Sequence, residues 1–267
     1  MIPAATRYAR ASDVEHAVEL LAEPDAKAIA GGQSLIPVMK LRIARPSVVV
    51  DISRLDLRGI EDRDGDVHIG PLTTWAELAA AAMFERAGLA AIAECARGIG
   101  DVQVRNLGTI GGSLVHADPA SDMPAVLLAL DARVGVQGPA GTRELTASEL
   151  LVGPFMTSLG QQDIVTDVVL PVPEAGSGSA YVSVEHPASG FALAGAAALV
   201  GPSGERVALT GVGSTPFLLP EGDVREAIST VEIFGDRFAA EEYRRALAKT
   251  VATRALEQAR ARAEQGG

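Results

Sequence analysis

The sequence contains one cysteine, Cys95, and few aromatic residues, which make up 4% of its 267 positions. A single thiol excludes an internal disulfide, a cysteine-rich zinc site and an iron–sulfur cluster held by this chain alone. With so few aromatic side chains, the core must be built largely from Ala, Val, Leu and Ile. No apolar run approaches the roughly 18 residues that a membrane-spanning helix needs, and the first residues lack the layout of a signal peptide. We therefore expect a soluble, cytoplasmic protein.

Positive charge is also scarce in this chain. Lysine and arginine total 23 against 34 aspartates and glutamates, which gives a net charge of −11 and an isoelectric point near 4.9. This balance argues against binding to nucleic acid or to an anionic membrane surface. Apolar residues make up 48% of the chain, which is enough to bury a core and excludes disorder for most of its length. The four histidines are scattered, so we predict no metal site, and no motif places a catalytic side chain.

The pattern of apolar residues predicts an α+β chain in two parts. A stretch rich in Pro, Gly and Ser, Pro171 to Ser179, is the best candidate for a linker, so we place one domain at residues 1–175 and a second at residues 176–267. Three antiparallel strands are predicted in the second part, at Ala180–Val184, Phe191–Val200 and Arg206–Val212. A long charged segment from about Ala239 to Ala263 predicts a final helix. Its apolar stripe is formed by Tyr243, Leu247, Val251 and Leu256.

Local signals in the first part predict short strands and capped helices. Ser12-Asp13-Val14-Glu15 has the pattern of a capping box at the start of a helix, and Thr74 is the predicted cap of another. The run Lys27 to Ala30 predicts a short buried strand. From Val104 to Val115 the glycine-punctuated sequence predicts an irregular stretch, which is followed by a helix from about Asp122 to Leu130.

Two glycine-centred loops are the best candidates for a binding site. Ala30-Gly31-Gly32-Gln33-Ser34-Leu35 directly follows a predicted strand, and Thr109-Ile110-Gly111-Gly112-Ser113-Leu114 lies further along the chain. A glycine pair lets the backbone approach a ligand closely and turn its N–H groups toward an anion. Neither loop fits the dinucleotide fingerprint G-x-G-x-x-G, and no P-loop is present. An isolated glycine pair is most often a tight turn, so the surrounding residues decide the interpretation.

Three segments carry a resemblance to a known family. Residues 30–46 read AGGQSLIPVMKLRIARP, residues 105–113 read RNLGTIGGS and residues 118–125 read DPASDMPA. They resemble the FAD-binding medium subunits of molybdenum hydroxylases, most closely those of the aerobic carbon monoxide dehydrogenase type, and the resemblance extends over nearly the whole chain. It implies the FAD-binding fold of the vanillyl-alcohol oxidase and p-cresol methylhydroxylase type, with α+β subdomains at about 1–55 and 56–175. It also implies a C-terminal domain with a three-stranded antiparallel sheet and helices.

The resemblance further implies a set of residues that hold non-covalent FAD. The residues expected to line its pyrophosphate and ribityl chain are Ala28, Ile29, Ala30, Gly31, Gly32, Gln33, Ser34, Leu35, Thr109, Ile110, Gly111, Gly112 and Ser113. Asp122 matches a family acid near the FAD and could accept a ribityl or ribose hydroxyl as an ionised carboxylate. Ile99 and Phe191 match positions beside the isoalloxazine ring. Val165 matches a position near the adenine.

The chain departs from the family pattern at two places. Ser113 stands where the family more commonly has Asn, so an amide is lost. The segment Glu185 to Gly190, which reads EHPASG, replaces a basic stretch that ends in Asp. The second difference leaves the environment of the flavin edge open.

The function implied by the resemblance is that of an electron-transfer subunit. In such an enzyme a large subunit holds a molybdenum–pterin cofactor, and a small subunit holds two two-iron two-sulfur clusters. Electrons pass from these clusters through the FAD of the medium subunit to an external acceptor, in an assembly expected to be a dimer of heterotrimers. The single cysteine of this chain agrees with clusters that lie on a partner.

Two alternative functions stay open at this point, as do the substrate and the electron acceptor. The chain could be a self-sufficient FAD-dependent oxidoreductase of the same superfamily, although no motif places a proton donor over the flavin. It could also be a flavin-free interaction module that has kept the fold. The substrate could be carbon monoxide, an aldehyde, a purine or an N-heterocycle, and the acceptor could be a quinone, a cytochrome, NAD or oxygen.

Overall fold

The computed structural model describes residues 2–265, beginning with a small parallel sheet. Its strands are β1 (Arg7–Arg10), β2 (Lys27–Ile29) and β3 (Val48–Asp51), joined by helices α1 (Val14–Leu20) and α2 (Leu35–Lys40). The spatial order is β1-β3-β2, and both outer strands run parallel to the central β3. All four residues of β3 are buried, as expected for a central parallel strand. The first glycine loop leaves the carboxyl end of β2, so it lies at the edge of the sheet where the parallel strands end.

A five-stranded antiparallel sheet forms the second layer, in the order β4-β5-β10-β6-β7. The strands up to this point of the chain are β4 (Ile60–Arg63), β5 (Asp66–Ile69), β6 (Arg133–Gly138), β7 (Gly141–Thr146), β8 (Leu151–Gly153), β9 (Met156–Thr157) and β10 (Ile164–Pro171). Strands β8 and β9 pair only with each other, as a small hairpin. Strand β10 occupies the centre of the large sheet, and most of its side chains are buried there.

Six helices accompany this second sheet. They are α3 (Trp75–Ala80), α4 (Ala90–Gly98), α5 (Val102–Leu107), α6 (Ile110–His116), α7 (Asp122–Ala129) and α8 (Ala147–Leu150), with two short 3-10 turns at residues 82–85 and 87–89. Every residue of α7 after Asp122 is buried, because this helix packs against α4 and against three strands of the C-terminal sheet. Helix α7 therefore joins the second layer to the third.

The C-terminal layer is an antiparallel sheet covered by a long helix. Its elements are β11 (Gly178–Glu185), β12 (Ala192–Gly201), β13 (Gly204–Thr210), β14 (Phe217–Leu218), α9 (Val224–Thr230) and α10 (Glu241–Gln265). The strands follow one another in chain order across the sheet. Helix α10 packs on β11 and β12 through small side chains, so the two approach closely. A side chain at Gly178 would overlap the Ala259 carbonyl of α10.

A half-buried ion pair connects the C-terminal helix to the second layer. The Arg262 guanidinium bonds both carboxylate oxygens of Glu94 on α4 and also donates to the Ser179 carbonyl. Glu94 in turn accepts the amide hydrogen of Tyr181 at 3.0 Å. Planar bidentate pairs of this kind fix orientation as well as supplying energy. The contact therefore sets where β11 lies relative to α4.

The structure differs from the sequence-based expectations in four details. The stretch from Val104 to Val115, predicted to be irregular, contains the end of α5 and most of α6. Asp101 caps the start of α5 and Thr109 caps the start of α6, so both helices form although the stretch is rich in glycine. The C-terminal sheet has a fourth strand, β14, which is too short to give a sequence pattern. Asp13, not Ser12, caps α1 by accepting the amide hydrogen of His16. Tyr243 is 53% exposed, and the buried face of α10 is formed mainly by alanines.

Within residues 2–265, no helix combines the length and the apolar character that crossing a bilayer requires.

Candidate functional site

The two glycine loops lie against each other. A Cβ atom built on Gly31 would overlap the Leu107 carbonyl oxygen and come within 3.1 Å of the Gly108 Cα. Leu107 ends α5, and Gly108 leads directly into the second loop. The fold therefore brings together two segments that are far apart in sequence, and the lack of a side chain at Gly31 permits this contact.

The first loop presents unpaired backbone donors. Among the described residues, the amides from Gly31 to Leu35 donate no hydrogen bond to another protein group. Gly32 has φ +72°, a conformation that glycine adopts without strain. The Gln33 side-chain amide donates to the Gly31 carbonyl at 3.1 Å, which holds the turn from within. Residues Ala28 to Leu35 are half-buried, so part of this segment faces solvent. Such a run of amides favours an anionic ligand.

The second loop has a buried side and an exposed side. The Ile110 amide donates to the Thr73 carbonyl at 3.1 Å, and the Gly111 amide donates to the Pro71 carbonyl at 2.9 Å. Thr109 caps α6, its hydroxyl oxygen accepting the Gly112 amide hydrogen at 3.2 Å. The amides of Ile110, Gly111 and Gly112 therefore already donate to groups of the protein itself.

Gly111 has no room for a side chain, since a Cβ there would lie 2.5 Å from the Pro71 Cβ. Gly112 is exposed and Ser113 is half-buried. The side of the second loop that remains accessible to a ligand is thus formed by Gly112 and Ser113.

Hydroxyl groups join the second loop to the start of α7. The Ser113 and Ser121 hydroxyl oxygens lie 3.0 Å apart. From β13, the Thr210 hydroxyl donates to the Ser121 carbonyl at 2.6 Å. These bonds fix the first turn of α7, where Asp122 is the first helical residue.

Asp122 is a half-buried carboxyl group next to the second loop. Burial raises its pKa to about 6, and repulsion by Glu185 and Asp118 acts in the same direction. The Tyr181 hydroxyl donates to Asp122 Oδ1 and partly offsets this effect. The buried thiol of Cys95 lies nearby, and burial raises its pKa well above the ordinary value, which keeps it protonated. Sequence patterns pointed to Asp122 but not to Tyr181, since an aromatic residue within a strand is typical of an ordinary core.

The residues expected at the flavin ring lie around the end of α4. Ile99 follows this helix and is half-buried, and the Arg105 guanidinium donates to the Ile99 and Gly100 carbonyls at 3.2 and 2.6 Å. A Cβ on Gly98 would be 3.6 Å from Glu185 Oε1, which places the end of β11 beside the same turn. The strand that carries Glu185 also carries Tyr181, so this edge adjoins Asp122.

Phe191 lies on an exposed turn at the same end of the C-terminal sheet. Its side chain is 48% exposed, and its carbonyl accepts the His186 amide hydrogen at 2.8 Å. The His186 ring lies 4.6 Å from the Phe238 ring. The Glu185 to Gly190 segment thus forms a turn closed by the backbone bond between His186 and Phe191, and it carries the His186 imidazole.

Val165 differs from the other expected contacts because its side chain is 5% exposed. It lies in β10 opposite Val136 and belongs to the core of the second layer. Its side chain therefore offers little surface to a ligand, and its place near the adenine stays a prediction.

Comparisons with known proteins bear on the whole chain. Residues 4–173 match the family described as the FAD binding domain in molybdopterin dehydrogenase. The chain is 40% identical to the 6-hydroxypseudooxynicotine dehydrogenase complex subunit alpha of Paenarthrobacter nicotinovorans, over 84% of this chain and 78% of that protein. It is 34% identical to the carbon monoxide dehydrogenase medium chain of Afipia carboxidovorans, over 99% and 100%.

The fold comparison agrees with the sequence comparison. A solved structure of carbon monoxide dehydrogenase from Hydrogenophaga pseudoflava superposes with a TM-score of 0.91 at 35% identity, covering 98% of this chain and 99% of that one. A match of this extent includes all three sheets.

Proposed function

Because this chain belongs to the family of FAD-binding domains of molybdopterin dehydrogenases, we propose that it is the FAD-carrying electron-transfer subunit of a molybdenum-dependent hydroxylase. It is an oxidoreductase subunit of the carbon monoxide dehydrogenase type, as its relatives are. The proposal assigns it the role of passing electrons from iron–sulfur clusters to an external acceptor. FAD supplies the chemistry that joins one-electron donors to two-electron acceptors.

The observation that carries the proposal is the run of unpaired amides from Gly31 to Leu35. A pyrophosphate carries negative charge and accepts hydrogen bonds through several oxygens, so it fits a row of backbone donors. The exposed side of the second loop, Gly112 and Ser113, adjoins this row through the contact of Gly31 with Leu107. Both loops could thus bind one ligand from neighbouring sides, although neither has the usual dinucleotide fingerprint.

The remaining residues of the site would hold the rest of the cofactor. The ionised Asp122 carboxylate accepts a ribose or ribityl hydroxyl, a charge-assisted hydrogen bond of the stronger kind. Ile99 and Phe191 would lie beside the isoalloxazine ring, where Phe191 exposes an aromatic face. The chain's contribution is to bind and orient the cofactor, and the proposal includes no catalytic side chain and no covalent link.

The proposed partners carry the other redox groups. We assign two two-iron two-sulfur clusters to a small subunit and the molybdenum–pterin cofactor to a large subunit, because the single cysteine of this chain is buried and cannot hold such clusters. A dimer of heterotrimers and a cytoplasmic location are parts of the same proposal. So is the division of the chain at residues 55 and 175, which separates the three sheets.

FAD binding by the purified chain tests this proposal. We expect one FAD per chain, with the absorbance of an oxidised flavin, and complete release of the yellow colour on acid precipitation. Colour retained in the pellet would contradict non-covalent binding. A chain that is folded by circular dichroism but binds no FAD at micromolar concentrations would instead favour a flavin-free module.

A pair of matched glycine variants tests the first loop. Gly32 has φ +72° and Gly176 has φ +78°, so alanine costs about 1 kcal/mol of backbone strain at either position. At Gly32 the methyl group would also displace the end of the Ile36 side chain, whereas at Gly176 it meets no neighbour within 4 Å. Only Gly32→Ala disturbs the row of amides, and we expect it to raise the dissociation constant for FAD at least tenfold. Gly176→Ala, in the segment between β10 and β11, should leave it unchanged. Equal affinities in the two variants would contradict the placement of the pyrophosphate.

A further inference from the structure

We infer that Tyr181 is a positioning residue for FAD: its hydroxyl holds one oxygen of Asp122, so that the other oxygen is directed to the cofactor. The inference rests on the proposed FAD function. It assigns a role to a side chain that no sequence motif selects.

The Tyr181 hydroxyl occupies a space made for it. It donates to Asp122 Oδ1, and its ring is packed against the core of the second layer. A Cβ atom on Gly195, in the neighbouring strand β12, would overlap this hydroxyl and lie 2.8 Å from the Thr210 Cγ2. The absence of a side chain at Gly195 therefore permits the hydrogen bond between Tyr181 and Asp122.

The backbone of Tyr181 is held as firmly as its hydroxyl. Its amide donates to Glu94 Oε2 at 3.0 Å, and Glu94 is itself bonded by Arg262. Helices α4 and α10 thus fix β11 at this residue. A donor with so little freedom can set the orientation of the carboxylate that it bonds.

The groups around Asp122 explain why such a donor is needed. Glu185, on the same strand as Tyr181, and Asp118, in the loop before α7, both disfavour the ionised form of Asp122. The Cys95 thiol on α4 is neutral. Burial raises the pKa of Tyr181 well above its ordinary value, so the phenol remains a donor at all working pH values. The neighbouring elements α6, β12 and β13 contribute uncharged groups, Ser113, Gly195 and Thr210.

The two carboxylate oxygens of Asp122 therefore have different roles. An ionised carboxylate only accepts hydrogen bonds, through both oxygens. With Oδ1 occupied by the phenol, Oδ2 is left to accept a hydroxyl of the ribityl chain or ribose. Loss of the phenol would both free the carboxylate to rotate and favour its protonation, since a hydrogen bond to the charged form is removed.

The test is the pH dependence of FAD affinity in wild type and Tyr181→Phe. In wild type the dissociation constant should fall as pH rises through about 6, where Asp122 ionises. In Tyr181→Phe we expect the midpoint to move upward by about one pH unit or more. Above pH 9, where Asp122 is ionised in both proteins, the variant should still bind FAD more weakly, because its carboxylate is free to rotate. Asp122→Asn should remove the dependence, and Tyr243→Phe, an exposed tyrosine, should behave as wild type.

Each outcome of this titration has a definite meaning. A Tyr181→Phe profile that is weaker by the same factor at every pH would show a structural role only and overturn the inference. So would a profile identical to that of wild type. If wild type itself binds no FAD, the proposed function fails before the inference is reached, so the two failures are distinguishable.

Discussion

Asp122, which we propose to bind the cofactor, is kept at a cost in stability. A carboxyl group that ionises near 6 in the folded chain, against 3.8 ordinarily, binds its proton more tightly when folded than when unfolded. Its ionised form therefore opposes folding at neutral pH. The Tyr181 hydroxyl reduces this effect without removing it. Such a group persists where function requires a charge in a half-buried place.

We expect Asp122→Asn to stabilise the FAD-free chain at high pH. The displacement of ionisation from 3.8 to about 6 corresponds to about 3 kcal/mol as an upper bound. The ionised carboxylate of Asp122 lowers the free energy of unfolding by its full amount above the pKa of the folded chain, about 6, and by nothing below the pKa of the unfolded chain, 3.8. The variant should therefore gain 1 to 3 kcal/mol, roughly, in free energy of unfolding at pH 8 and nothing near pH 4.

Urea denaturation at the two pH values measures this difference. Asp64→Asn, in the exposed turn between β4 and β5, is the matched control and should show no such gain. A variant equally or less stable than wild type at pH 8 would contradict the raised pKa of Asp122. The same variant should bind FAD more weakly, because a neutral amide replaces the charged acceptor.

Residue-level prediction selects the residues that a motif names and misses those whose role depends on packing. Asp122 and the glycines of both loops were selected from segments that resemble a family, and their contact with FAD stays a prediction. Tyr181 was missed, because its role depends on the space at Gly195 and on a helix more than fifty positions earlier in the chain, α7. No local pattern encodes that contact.

At the scale of elements, glycines decide how closely the segments of the site approach. Gly31 contacts the end of α5, Gly111 contacts Pro71 and Gly178 contacts α10. In each case the nearest groups include backbone atoms, which cannot move aside as a flexible side chain can. These glycines join elements, whereas Gly32 provides a turn with positive φ.

We predict that Gly31→Ala separates the two loops. The new methyl group would overlap the Leu107 carbonyl, so the free energy of unfolding should fall by about 1 to 3 kcal/mol. FAD affinity should fall with it, because the two loops no longer meet. Gly160→Ala is the control, since its nearest neighbour would be 3.5 Å away at Asp163. If chemical denaturation gives the same stability for Gly31→Ala as for wild type, the close contact of the loops is wrong.

Most elements were predictable from capping and periodicity, but the region around the second loop was not. Thr74 and Glu77 form the predicted capping box of α3, and the helix starting at Asp122 ends within one residue of its expected limit. The stretch from Val104 to Val115 was predicted wrongly because Gly108, Gly111 and Gly112 suggested a loop. Caps at Asp101 and Thr109, together with packing on Pro71, stabilise helices there despite the glycines.

At the scale of the molecule, the edge of the proposed flavin site faces outward. Phe191, Phe238 and His186 lie together on an exposed end of the C-terminal layer, next to the turn after α4. An electron that arrives from another chain needs such an accessible edge. The parallel sheet, the antiparallel sheet and the C-terminal layer each supply one part of the site, so the site depends on their mutual packing.

Electron flow in the assembled enzyme tests the central claim most directly. A complex isolated through a tag on this chain would be mixed anaerobically with carbon monoxide, aldehydes, purines and N-heterocycles in turn. With its substrate, the complete complex should show bleaching of both iron–sulfur and FAD absorbance. After removal of FAD, cluster reduction should persist while transfer to the acceptor stops. Reduction of FAD by that substrate in the isolated chain would contradict the account and identify a self-sufficient oxidoreductase.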